Sequence, residues 1–161
     1  MRRRALVFVV GIGLLAGAPP CAAQSAAVRF SAEPPEEAVI ELMASARTDL
    51  PRVTDSRGRP FPASAPADRA GAVIPIGDAR AIIDVGFASG VARWCGLDWQ
   101  QNLRFLMNEQ RARGTWSERQ LAFIGVLHAH AMGAVIDANR GRSCGAGDRL
   151  IVGDYLRRRW H

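Results

Sequence analysis

All nine prolines of this 161-residue chain lie at or before Pro75, and none follows it. A proline inside a helix costs about 3 kcal/mol, so the chain divides into a punctuated front and a back that is free to be helical. The back carries four helical patterns. Asp78 reads as the N-cap of the first, which runs to about Cys95 with Ile83, Phe87, Val91 and Trp94 at helical spacing and stops at Gly96-Leu97. Asp98 caps the second, with Trp99, Leu103, Leu106 and Met107 in one stripe and Gly114 as its end. Ser117 and Gln120 form a capping box for the third, which continues to about Asn139. The fourth begins near Asp148 and carries Leu150, Ile151, Val152, Tyr155 and Leu156 before Arg157-Arg158-Arg159.

The third pattern has no charged residue from Leu121 to Ile136. An all-round apolar helix belongs in the middle of a bundle. The expected fold is therefore all-α, a small four- to five-helix bundle in residues 72–161. In front of it, residues 24–71 read as an N-terminal arm, disordered or extended. That arm contains a short amphipathic helix, Glu36 to Ala46, with Val39, Ile40, Leu42 and Met43 on its apolar side, and a mobile Pro-rich linker from Pro51 to Ala70. The short helix is free either to dock on the bundle or to await a partner.

Met1-Arg2-Arg3-Arg4, the apolar run Ala5 to Ala18 and the small residues around Cys21-Ala22-Ala23 have the layout of a signal peptide, residues 1–23, cleaved near Ala23. The run is shorter than the roughly 20 residues a membrane span needs. Lipidation at Cys21 is the alternative, and Pro20 is unsuited to such a processing site. Cleavage leaves Cys95 and Cys144 in an oxidising compartment, periplasmic or extracellular, where a thiol pair reads as one disulfide. With successive helices running up, down and up, both cysteines arrive at one end of the bundle. Closing the loop between them stabilises the fold by about 4 kcal/mol in the chain-entropy model.

Every basic residue is Arg, a pattern that GC-biased codon usage produces, and removing Arg2, Arg3 and Arg4 halves the formal charge of +6. That is an ordinary solubilising charge. It argues against nucleic acid as a partner, and no second apolar stretch reads as a transmembrane span.

His128, His130 and Met132 would share one face of a strand and suit copper. On a helix, residues two apart point about 200° from each other, so His128 and Met132 share a face while His130 does not. Asp84, between Ile83 and Val85, needs a buried partner such as His128, His130 or an Arg. An Asp and His pair with Ser89 as nucleophile would make a small hydrolase, although no Gly-x-Ser-x-Gly elbow surrounds Ser89. Trp94, Trp99, Trp116 and Trp160 sit near helix ends, where they plug the bundle or, at Trp94, Trp99 and Trp116, present a partner-binding surface. The sequence implies no cofactor.

The apolar helix bearing Gly125, followed by Cys144 and Tyr155-Leu156, resembles the end of small exported helical immunity proteins of the Tai type, over the last third of the chain. Those carry a cysteine at the start of the apolar helix, where this chain reads Leu121-Ala122-Phe123-Ile124, and no family is assigned on the likeness. The functional expectation is non-catalytic binding to another protein of the cell envelope or the secreted fraction. A copper-binding protein using His128 and Met132, and a small envelope hydrolase, are the alternatives.

Overall fold

The computed structural model describes residues 34–66, 68 and 73–160, without the side chain of Trp160. The signal-peptide assignment, Cys21 and the first ten residues of the arm lie outside them. Five helices follow one another: α1 (Glu36–Asp49), α2 (Ile76–Trp94), α3 (Gln100–Ala112), α4 (Glu118–Ala138) and α5 (Ala146–Trp160), with a 3-10 turn at Leu50–Arg52 after α1. No strand occurs among the described residues; Thr54 and Pro60 form an isolated bridge. The fold is all-α, as its sequence pattern implies.

The helix boundaries follow local chemistry. At α4, Ser117 Oγ accepts from the Gln120 amide and Gln120 Oε1 accepts from the Ser117 amide, completing the expected capping box. Asp98 Oδ1 accepts from the amides of Gln100 and Gln101 and so satisfies free donors of α3. Gly96, Gly114 and Gly141, which close α2, α3 and α4, all have positive φ. Asp78 does not cap α2. The helix begins earlier, at Ile76 after Pro75, and the Asp78 carboxylate pairs with Arg113 at 3.1 Å instead.

The described residues 34–66 and 68 are not an appendage to the bundle. Val39, Met43 and Ala46 of α1, together with Leu50, Phe61, Val73 and Ile74, are buried in the same core as Ile82, Ile83, Leu106 and Phe123. Of the two outcomes open to the first helix, it docks, and it extends three residues beyond Ala46 to do so.

The Pro-rich segment is pinned, not a free linker. Phe61 donates its amide to Val53 O, and Asp55 Oδ1 accepts from the amides of Arg57 and Arg59. The first turn of α4 then grips the segment and Val73 through three consecutive residues. Glu118 Oε1 accepts from the Ser56 amide, and Gln120 Nε2 donates to Val73 O. Between them Arg119 donates to Pro62 O and Ala63 O and forks onto both oxygens of Asp68, at 2.6 and 3.1 Å. Burial works to raise the Asp68 pKa, but Arg119 and the Ala65 amide outweigh it and hold the carboxyl below its ordinary value. Composition could not reveal these grips, because they are long-range.

The central helix is α2, with ten of its nineteen residues buried, whereas α4 buries six of twenty-one. The expectation that α4 sits in the middle is corrected accordingly. Phe123, Ile124, Leu127, His128, Ala131 and Met132 of α4 are buried, with His128, Ala131 and Met132 lying against α2, while Ala129 and Ala134 on the other side are exposed. The two helices run parallel and very close. A Cβ on Gly86 would stand 2.6 Å from Ala131 Cβ and 2.8 Å from His128 O; one on Gly90 would stand 2.7 Å from Val135 Cβ and 2.8 Å from Met132 O. By length and composition α4 could also cross a membrane, with a mean hydropathy of 1.6, but the α2 side of it belongs to the core.

Parallel α2 and α4 deliver their C-termini to one end, where Cys95 and Cys144 form the expected disulfide with Cα atoms 5.1 Å apart. A second, smaller apolar cluster surrounds it: Val91, Ala92, Cys95, Val152 and Leu156.

Gly86→Ala should destabilise the protein by about 2 kcal/mol, overpacking outweighing a gain in helix propensity of about 1 kcal/mol. Gly125→Ala, where a new Cβ meets nothing within 4 Å, should instead stabilise it by up to about 1 kcal/mol. Urea unfolding of the two variants measures this difference in sign.

Candidate functional site

Two places bring together chemically distinctive residues. The first is buried where α2, α3 and α4 meet. Ser89, Asn102 and His128 are each 0% exposed. Ser89 Oγ lies 2.9 Å from Val85 O, 2.8 Å from His128 Nε2 and 2.8 Å from Asn102 Nδ2, and Asn102 Nδ2 also reaches Val85 O at 3.2 Å. One hydrogen assignment satisfies the serine completely: it donates to Val85 O and accepts from Asn102 Nδ2–H and His128 Nε2–H. That leaves two buried acceptors, His128 Nδ1 and Asn102 Oδ1, without a partner. Burial depresses the His128 pKa from its ordinary 6.5 to about 4, so the imidazole is neutral at neutral pH.

In that assignment the serine proton goes to a helix carbonyl and the histidine donates to the serine, and both side chains are fully buried. Asp84, which the hydrolase reading needs, points elsewhere: its Oδ2 accepts from Tyr155 of α5 at 2.9 Å, not from a histidine or an arginine. Burial, and next the Asp84 charge, push the Tyr155 hydroxyl up to about 12. His130 faces away from His128, as helical geometry requires, and its Nε2 lies 3.0 Å from Asp49 Oδ2. Met132 is buried, and no group of three or more His, Cys, Asp or Glu suited to a metal ion occurs among the described residues. The structure thus brings Ser89 and His128 together, while Asp84 pairs with Tyr155 and His130 with Asp49.

The corner tryptophans are partly buried and internally engaged. Trp94 Nε1 donates to Arg142 O at 3.0 Å and Trp116 Nε1 to Gln110 Oε1 at 2.8 Å. The Arg93 guanidinium lies 5.7 Å from the centre of the Trp99 ring.

The second place is a groove of about 780 Å³ on the open side of α4. Its lining includes Ala122, Gly125, Ala129 and Gly133 of α4, Leu42 of α1, and Leu103 and Met107 of α3, together with the charged Asp49, Arg52 and Asp137 and with His130. Nothing lies within 4 Å of a Cβ built at Gly125 or Gly133, so the backbone itself is approachable there. The uncharged run from Leu121 to Ile136 therefore serves two opposite surfaces, a packed one and an open one.

Sequence reading misses Asn102, Tyr155 and the groove. Asn102, Leu106 and Gln110 are the buried stripe of α3, four residues apart, and two amides on that stripe were the available signal. The groove was signalled by small residues at positions 125, 129 and 133, a period shared with ordinary helix packing.

Stability should fall as pH is lowered from 6.5 to 4, because the unfolded histidine takes up a proton near 6.5 and the folded one only near 4. Between these values the unfolded state binds more protons, so the loss reaches about 3 kcal/mol once the pH is below 4. The Asp68 contribution belongs to a lower window, since it is lost only as pH falls through and below the ordinary carboxyl value of 3.8. Urea midpoints against pH should show the upper slope in the native protein and lose it in His128→Gln. Comparison with known proteins finds no matching family model, no matching curated protein and no matching solved structure.

Proposed function

We propose that this chain is an exported binding protein that acts without catalysis, holding one helix of another envelope or secreted protein in the groove floored by α4. The observation that carries this reading is an outward helix face with no charged residue from Leu121 to Ile136, where solvent exposure alone would favour charge.

The shape supports a helical guest. Gly125, Ala129 and Gly133 recur at four-residue intervals, which lets a second helix axis approach closely, and the side chains of Leu42, Leu103 and Met107 are placed to pack along its flanks. A second copy of the chain is a poor guest for this face, since two concave surfaces bounded by α1 and α3 would leave a void between them. The arrangement of Trp94 and Trp116 also favours the groove over the corner, because both indole N–H groups are already used within the chain.

A photo-crosslinking amino acid in place of Ala129 should trap one defined protein when this chain is made in cells that export it. Filling the floor with Gly125→Leu and Gly133→Leu should reduce that crosslink at least tenfold while leaving the melting temperature within a few degrees, since both positions are open. Absence of any crosslinked protein, or an equal yield from the filled groove, would refute the reading.

A further inference from the structure

The core is divided. The larger cluster draws on α1, the 3-10 turn, the Pro-rich segment, α2, α3 and α4, and none of the described side chains of α5 belongs to it. The residues of α5 enter only the smaller cluster, where Val152 and Leu156 are buried against Val91, Ala92 and Cys95. In the first half of the helix, Leu150 is 71% exposed and Ile151 41%.

Among the described residues, these attachments fasten the element to the body. The disulfide ties the turn before α5 to the end of α2, and Trp94 Nε1 binds Arg142 O in that turn. Further along, the Tyr155 hydroxyl donates to Asp84, and Arg159 lies 3.8 Å from Glu109 of α3. Of these, only the disulfide is covalent.

We propose that α5 and the turn before it form a redox-releasable strap, locked by Cys95–Cys144 and free to lift from α2 as a unit when that bond is reduced, while the body formed by α1 to α4 stays folded. The loop that the disulfide closes contains α3 and α4, and both are independently held in the larger cluster, so breaking the bond removes no contact of that cluster. Lifting α5 uncovers Val91 and Ala92 of α2, a second apolar surface separate from the α4 groove.

The exchange chemistry has a defined direction. Cys95 is 1% exposed and Cys144 is partly exposed, so a thiolate of an external dithiol attacks Cys144 Sγ. The S–S bond breaks, the Cys95 sulfur leaves with the electron pair and takes a proton from water. The second thiol of the dithiol then attacks the mixed disulfide and releases Cys144 as a thiol. The protein gains two electrons and two protons, and the dithiol is oxidised to its own disulfide.

Hydrogen exchange followed by mass spectrometry on the full exported protein, before and after dithiothreitol, reads the effect directly. Amides at residues 151–156 should exchange at least tenfold faster after reduction, confirmed by two titratable thiols, while those at 123–132 keep their protection. Untreated Cys95→Ser/Cys144→Ser should reproduce the reduced pattern, and Tyr155→Phe should speed exchange of α5 further in the reduced form. Unchanged exchange at 151–156 after verified reduction would overturn the proposal, as would equal loss of protection at 123–132 or failure of the double serine variant to fold.

Discussion

The close approach of α2 and α4 at Gly86 and Gly90 sets the geometry of everything around it. At these two positions a side chain as small as a methyl group would collide with His128 O or Met132 O, at 2.8 Å in each case. The helices are held by backbone shape as much as by side-chain burial. Protein interiors pack without slack, so this contact fixes the separation of the two axes and their register. Ser89, one residue before Gly90, then reaches His128 at 2.8 Å. The parallel course brings Cys95 to Cys144, and α1 and α3 are left to flank α4, which opens the groove between them.

The buried polar cluster reinforces that register in a way apolar packing cannot. A leucine core tolerates sliding, whereas moving α3 by one residue would take Asn102 Nδ2 away from both Ser89 Oγ and Val85 O. Each buried polar group left without a partner costs about 1–3 kcal/mol. The chain already carries two such acceptors, His128 Nδ1 and Asn102 Oδ1, and the stability they cost is offset by the serine's three satisfied bonds and the surrounding apolar core. Histidine at this place in the fold is a structural connector, and its low pKa is a consequence of burial.

What the sequence makes legible is what local chemistry decides. The capping box at Ser117 and Gln120, the glycine stops at Gly96, Gly114 and Gly141, and the cysteine pairing all depend on neighbours in the chain or on helix direction, and all are found. Long-range contacts account for the differences. The segment from Pro51 to Ala70 is polar and Pro-rich, but Arg119, fifty-one residues after Asp68, anchors it. Asp84 finds Tyr155, seventy-one residues away, instead of a nearby histidine. The uncharged run in α4 correctly marks an unusual helix. Hydropathy alone could not say that half of that apolar surface faces a groove, because burial and an open apolar face have the same composition.

The body and the strap also divide the work of stability. The larger cluster supports the groove, and the smaller one depends on a covalent tie at the end of α2. Both rest on the α2–α4 contact, and a double-mutant cycle tests that contact most directly. Combining Gly86→Ala with Ala131→Gly, and comparing the pair with each single variant by urea unfolding, measures whether the two positions share one space. The account predicts that the Ala131→Gly change recovers about 1 kcal/mol or more of the loss caused by Gly86→Ala, since it removes the nearest atom, 2.6 Å from the added Cβ. Strictly additive losses would contradict it.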